Sequence, residues 1–147
     1  MKKQLIFGHI ITLLIGGLIY VLFRALSLLM FSWYKSIGLG EILNGLRKST
    51  IPFAENIPEW ILFSLPDGLW IFSYVSLMLL IWQNSISKKN ISWILITPIL
   101  AISSELGQLF GLITGTFDLI DLLLYIFGMT LPFIFFKQSI NFKIQTL

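Results

Sequence analysis

The feature that most constrains this chain is a set of apolar stretches that are each about as long as a membrane span. They cover residues from about 5 to 31, 61 to 82, 91 to 112 and 117 to 136. About 20 helical residues, rising about 1.5 Å each, cross the roughly 30 Å of bilayer hydrocarbon. Charged residues make up 12% of the 147 residues, whereas about 25% is usual in soluble domains. The sequence predicts a single all-α domain, residues 1–147, folded as a bundle of four transmembrane helices.

The composition also excludes several kinds of site. The chain has no cysteine, which excludes disulfides, thiolate catalysis and cysteine metal sites. The net charge of +3 gives no argument for nucleic acid binding, because basic residues in membrane proteins mainly set orientation. The first apolar stretch exceeds the roughly 7–15 residues of a signal-peptide core, so we expect it to be a membrane span. We predict no cofactor.

Lysine and arginine predict which side of the membrane each connection faces. If the four spans alternate, one side carries Lys2, Lys3, Lys88, Lys89, Lys137 and Lys143, and the other carries Lys35, Arg47 and Lys48. The richer side is the cytoplasmic one, so both termini are predicted to be cytoplasmic. We expect the outer connection, residues 34–59, to be a solvated linker with apolar contacts; a short interfacial helix near 37–46 is the alternative.

The acidic residues are the strongest indication of a functional site. All seven fall on the predicted outer side, and several lie within spans, where a charge costs about 2.5–3.5 kcal/mol to insert. From the rise per residue, Glu105 and Asp121 lie roughly 8–10 Å below the outer surface. Arg24 and Asp67 lie at a similar depth on the other two spans. Each of the four predicted helices therefore has one charged residue at about the same depth. We call this depth the acidic layer.

Helical spacing predicts which polar side chains share a face in this layer. Gln108 lies one turn after Glu105, and Asp118, Asp121 and Tyr125 follow one another at steps of three or four. The short turn between the last two spans should bring Glu105 towards Asp121. The predicted ligand-binding residues are Arg24, Asp67, Glu105, Gln108, Asp118, Asp121 and Tyr125.

Charge balance and nearby polar groups complete the predicted site. Arg24 alone cannot neutralise four carboxylates, so protonation, a water-filled vestibule or a bound cation all remain open. We expect the hydroxyls of Ser73, Tyr74, Ser103 and Ser104 to lie near the layer. His9, the sole histidine, lies at the far end of its span and is expected at the interface. We therefore predict no histidine metal site and no histidine-assisted catalysis in the acidic layer.

The last two spans resemble the VanZ-like family of small bacterial integral membrane proteins. The matching pattern is Glu105-x-x-Gln108, a short turn, then Asp121 followed by Gly128. Asp67 is similar to an Asp that opens the preceding helix in that family. Gly115 or a neighbour stands where the family has Arg, and Tyr125 where it has Asn. The family is named for a protein associated with teicoplanin resistance, so the resemblance implies a multi-pass protein of the bacterial inner membrane that acts on the cell envelope.

These observations support three functional hypotheses. The first is a protein whose acidic pocket, open to the outer face, binds an envelope ligand that is either lipid-linked or cationic. The second is an intramembrane enzyme that uses Glu105 or Asp121 as a general base. The third is a small ion-coupled transporter that uses the carboxylates as a relay. Membrane lipids are predicted partners in each case, and the oligomeric state stays open.

Overall fold

The protein is built almost entirely from helices. A computed structural model describes residues 1–142. Two short strands, β1 (Ser85–Ile86) and β2 (Asn141–Phe142), pair in parallel. Within the described residues the helices are α1 (Gln4–Phe23, with π-type winding over Gln4–Ile10), α2 (Leu29–Ser36), α3 (Gly40–Ala54), α4 (Glu59–Phe63), α5 (Leu65–Ile81), α6 (Ile91–Leu109) and α7 (Leu119–Phe135). The predicted all-α class is confirmed.

Two of the helices described in residues 1–142 are long and apolar enough to cross a membrane. They are α1, with 20 residues, and α6, with 19 residues. Helices α5 and α7 are also apolar but have 17 residues each. All four coincide with the predicted apolar stretches, although each helix is shorter than its stretch.

The first helix ends earlier than the sequence predicts. Arg24 has an extended backbone, with φ −67° and ψ 157°, so α1 stops at Phe23 and the prediction that it runs to residue 31 is wrong. The free carbonyls at its end have partners in α3. Arg47 donates from Nη1 to the Val21 carbonyl at 2.6 Å and from Nη2 to the Arg24 carbonyl at 2.7 Å. Satisfying these otherwise unpaired carbonyls lets the chain leave the helix at this point.

Most of the outer connection is helical, so the expectation of a linker is wrong; α3, which covers Gly40–Ala54, is closer to the alternative of a helix near 37–46. Helices α2, α3 and α4 occupy most of it, and Arg47 of α3 is buried, with 6% of its surface exposed. Its guanidinium also lies 5.0 Å from the ring centroid of Phe31 in α2. The sequence suggested a linker because this segment mixes glycine, proline and charge. Tertiary contacts with α1 overrode those local preferences.

Helix α5 is the centre of the bundle, with α1, α6 and α7 packed against it. Glycines permit the closest approaches. A Cβ at Gly128 of α7 would lie 2.5 Å from the Gly68 carbonyl oxygen of α5, and a Cβ at Gly68 would lie 2.9 Å from the Leu124 Cβ. A Cβ at Gly16 of α1 would lie 2.8 Å from the Trp70 ring. Small residues at such crossings let two helix backbones pack closely.

The distribution of polar and apolar residues is the reverse of that in a soluble protein. In the described part of the chain, seven hydrophobic and eight polar or charged residues are buried, while many large hydrophobic side chains are exposed. The buried share of the apolar windows in α1 and α6 is only 11% and 17%. A core helix of a soluble domain would have most of its apolar face covered. The outward faces of these helices are therefore suited to an apolar solvent.

One end of the bundle is held together by backbone and amide hydrogen bonds. Gln4 Nε2 donates to Asn84 Oδ1 at 2.8 Å, and Asn84 Nδ2 donates to Gln4 Oε1 at 3.0 Å. The Asn141 backbone N–H donates to the Asn84 carbonyl at 2.8 Å. The N-terminus, the turn after α5 and the segment after α7 thus meet at one end, which we call the basic end because it carries Lys2, Lys3, Lys88, Lys89 and Lys137. Lys143 lies outside the described residues.

We expect the substitution Gln4→Ala to destabilise the protein. It leaves the Asn84 amide buried without its two partner atoms, and an unsatisfied buried polar group costs about 1–3 kcal/mol. The free energy of unfolding in mild detergent should fall by that amount, whereas Gln138→Ala, at an exposed position of the same end, should leave it unchanged. Equal stability of the two variants would show that the amide pair contributes nothing.

Candidate functional site

The end of the bundle opposite the basic end contains an ion pair between α1 and α5. Arg24 Nη2 lies 3.3 Å from Asp67 Oδ2 and donates to the Phe63 carbonyl at 2.8 Å. The guanidinium also lies over the rings of Tyr20 and Phe63, at 5.1 and 5.7 Å from their centroids. Because Arg24 follows the end of α1, its side chain is free to turn towards α5. The structure thus brings together two of the predicted site residues.

Glu105 is buried where α6 meets the start of α7. Only 4% of its surface is exposed, and its Oε1 accepts a 2.6 Å hydrogen bond from the Asp118 backbone N–H. The Asp118 carboxylate accepts from the Ile120 N–H at 2.7 Å and so caps the N-terminus of α7. Asp118 itself is exposed. The Asp118 side chain therefore caps α7, while the Asp118 backbone N–H holds the Glu105 carboxylate in place.

Three carboxylates from three helices are close enough to interact. The Asp67 carboxyl is within electrostatic range of Arg24, Asp121 and Glu105. The Tyr125 hydroxyl is within range of the same four groups. Asp121 Oδ1 is buried and has no hydrogen-bond partner among the described residues. We call Asp67, Glu105 and Asp121, with Arg24 and Tyr125, the acidic cluster.

The charge of the acidic cluster is not balanced by the protein groups within it. Arg24 supplies one positive charge against three carboxylates, so two negative charges are left over if all three ionise. In an apolar environment such charge requires protons, water or a bound cationic group. The cluster can therefore accept a proton or hold a cation-bearing ligand.

Several other polar residues have roles outside the cluster. Gln108 packs against the turn at Gly115, where a Cβ would lie 2.8 Å from its amide carbon. Ser73 Oγ lies 2.7 Å from His9 Nδ1, and the Tyr74 hydroxyl donates to the Trp93 carbonyl at 2.6 Å. The expectation that Ser73 and Tyr74 add hydroxyls to the acidic layer is therefore wrong. His9 is part-buried between α1 and α5, and its expected position at the membrane interface stays a prediction.

Arg47 is a residue that sequence reasoning missed. The sequence indicates only a basic residue of the outer connection, but Arg47 binds the carbonyls at the end of α1 and thereby fixes where Arg24 leaves the helix. Burial lowers the pKa of its guanidinium. Helical phase could have found it, because Leu43 and Thr50, four before and three after, share its less exposed face.

Two large clefts lie beside the cluster's helices and are lined by other residues. One, of about 490 Å³, lies between α2 and α3 and is lined in part by Lys35 and Glu41. The other, of about 440 Å³, lies among α1, α2 and α5. Across residues 1–142 no set of three His, Cys, Asp or Glu side chains is arranged to hold a metal ion.

Comparison with protein-family models, with curated proteins and with solved structures found no match for this chain. The VanZ-like resemblance of Glu105, Gln108, Asp121 and Gly128 is therefore still a prediction. What can be argued about function rests on the geometry of the acidic cluster and on the apolar exterior.

Proposed function

We propose that this chain is a four-span integral membrane protein that binds the cationic group of an envelope ligand at its acidic cluster. The basic end faces the cytoplasm and the acidic cluster lies in the outer leaflet. The VanZ-like resemblance supports placing it in the bacterial inner membrane and linking it to the cell envelope.

The membrane assignment is supported by the exposed apolar surface and by helix length. Helices of about 17–25 residues can span a bilayer, and α5 and α7, with 17 residues each, are at the short end of that range. The buried shares of 11% and 17% in α1 and α6 argue against a soluble core. Lysines gather at one end and acidic side chains at the other, which fits the usual cytoplasmic excess of basic residues.

The observation that carries the binding proposal is the unpartnered Asp121 Oδ1. A buried carboxylate oxygen is costly unless it is hydrogen-bonded or paired with a cation. Asp121 and Glu105 are both within electrostatic range of Asp67, and Arg24 is already paired with Asp67. A ligand ammonium group would donate the hydrogen bond that Asp121 Oδ1 lacks and would neutralise one of the two surplus negative charges.

The test is a comparison of ligand capture by the native chain and Asp121→Asn. The native protein, purified in detergent and incubated with a bacterial lipid extract, should retain amine-bearing amphiphiles detectable by mass spectrometry. Hydrogen bonds to charged groups contribute about 1.5–3 kcal/mol, so capture by Asp121→Asn should fall at least about tenfold. Glu59→Gln removes an exposed outer carboxylate and is the matched control. Equal capture by all three proteins would refute the proposal.

We expect both termini to be cytoplasmic, which cysteine labelling can test. The cysteine-free sequence allows single cysteines at Ser87, in the turn after α5, and at Thr114, in the turn after α6. In intact cells only Thr114→Cys should react with a membrane-impermeant thiol reagent. Reaction of Ser87→Cys alone would invert the topology.

A further inference from the structure

The cleft among α1, α2 and α5 is apolar, aromatic and open on one side. Its walls include Gly17, Tyr20, Met30, Trp33 and Trp70. Its volume of about 440 Å³ falls within the roughly 300–1,000 Å³ of typical ligand sites. Trp33 is exposed, so the cleft opens on the outward face of the bundle. An extended hydrocarbon chain would find apolar contacts along the whole groove.

Two wall residues of the cleft, Tyr20 and Trp70, lie next to residues of the acidic cluster. The Tyr20 and Trp70 rings lie 4.9 Å apart, centroid to centroid. The Arg24 guanidinium lies over the Tyr20 ring at 5.1 Å, and Trp70 lies three residues, nearly one turn, after Asp67. A wall of the apolar groove thus adjoins the Arg24–Asp67 ion pair, so that an apolar and a charged region lie side by side, as an amphiphile requires.

We propose that this cleft holds one acyl chain of a phospholipid that has a primary amine in its headgroup. The phosphate lies at Arg24 and the ammonium at the carboxylates of the acidic cluster. This inference rests on the proposed function and deepens it, because it names the ligand class.

Charge complementarity selects this headgroup. An ethanolamine headgroup carries a negative phosphate and a positive ammonium separated by a two-carbon linker, and the site presents a guanidinium next to surplus carboxylates. Both sides of the site have unused hydrogen-bonding atoms: within residues 1–142, Arg24 Nε is a buried donor without a partner and Asp121 Oδ1 is a buried acceptor without one. A phosphate accepts from the first and an ammonium donates to the second. A quaternary choline has no N–H to donate, and a glycerol headgroup has no positive charge.

Lipid selectivity is the first measurement. The full chain in detergent, mixed with equal amounts of phosphatidylethanolamine, phosphatidylcholine and phosphatidylglycerol of identical acyl chains, is examined by native mass spectrometry. We expect one phosphatidylethanolamine to be retained in preference to the other two. Equal retention of the three lipids, or preference for phosphatidylglycerol, would overturn the headgroup assignment.

The second measurement is lipid retention by a variant in which a larger side chain occupies the cleft. A Cβ at Gly17 meets no atom within 4 Å, and the same holds at Gly45 of α3, which does not line this cleft. The Cβ of Gly17→Leu therefore has room at the wall of the groove, where the rest of the side chain would occupy cleft volume, and Gly45→Leu is the matched control. We expect Gly17→Leu to weaken phosphatidylethanolamine retention at least about tenfold, equivalent to about 1.4 kcal/mol, and Gly45→Leu to leave it unchanged.

The two variants also separate this inference from the proposed function. If Asp121→Asn loses lipid while Gly17→Leu retains it fully, the proposal that the cleft holds an acyl chain is refuted. The proposed cationic site at the acidic cluster is then still supported. Unchanged retention in both would overturn both proposals. Loss in both Gly17→Leu and Asp121→Asn, with normal retention in Gly45→Leu, is the result that supports a chain in the cleft and an amine at the cluster.

Discussion

Gly128→Leu should prevent α7 from packing on α5 and should abolish the folded bundle. A Cβ at this position would lie 2.5 Å from the Gly68 carbonyl oxygen and 3.1 Å from both the Ile71 Cβ and the Phe72 backbone nitrogen. Two of these atoms belong to helix backbone, which cannot move aside as a flexible side chain can. Overpacking of a well-filled core typically costs about 1–3 kcal/mol for added methylenes, and a leucine here adds an entire side chain against backbone.

The loss of stability at position 128 should increase with the size of the side chain that replaces Gly128. We expect Gly128→Ala to lower the free energy of unfolding in detergent by at least about 1–3 kcal/mol and Gly128→Leu to yield no folded, monodisperse protein. Gly17→Leu controls for leucine in a long helix, because a Cβ there meets no atom within 4 Å. Normal folding of Gly128→Leu would mean that α5 and α7 are not held at this glycine crossing.

Glu105→Gln should remove ligand binding and leave the fold intact, whereas Glu105→Ala should impair both. The Glu105 carboxylate has two roles: its negative charge belongs to the acidic cluster, and its Oε1 accepts from the Asp118 backbone N–H at 2.6 Å. Glutamine keeps the acceptor and loses the charge. Alanine also leaves that N–H without its partner at the start of α7, at a cost of about 1–3 kcal/mol.

Two readouts separate these roles. Retention of amine-bearing lipid should fall at least about tenfold in both Glu105 variants, and the thermal midpoint should fall only in Glu105→Ala. Glu59→Gln, at an exposed outer position, should behave as the native chain in both assays. Full lipid retention in Glu105→Gln would assign Glu105 to holding the turn alone.

The positions of the main helices follow from the sequence because hydrophobicity and length are local properties. Each predicted apolar stretch contains one of α1, α5, α6 and α7, and the lysine pattern marks the basic end. The common layer of Arg24, Asp67, Glu105 and Asp121 follows from the rise per residue. These quantities depend only on a residue's neighbours along the chain, so they can be read without knowing the tertiary contacts.

The division of roles within the layer was decided by the tertiary structure. Whether Asp118 is a ligand or a helix cap, and whether Ser73 faces the cluster or His9, depends on side-chain directions set by packing between helices. The end of α1 depends on Arg47, which reaches it from α3 across 23 to 26 residues of sequence. The sequence by itself determined the approximate positions of the four apolar helices α1, α5, α6 and α7, the basic end and the acidic layer. Interhelical hydrogen bonds and glycine crossings determined the rest, because they join atoms that are distant along the chain.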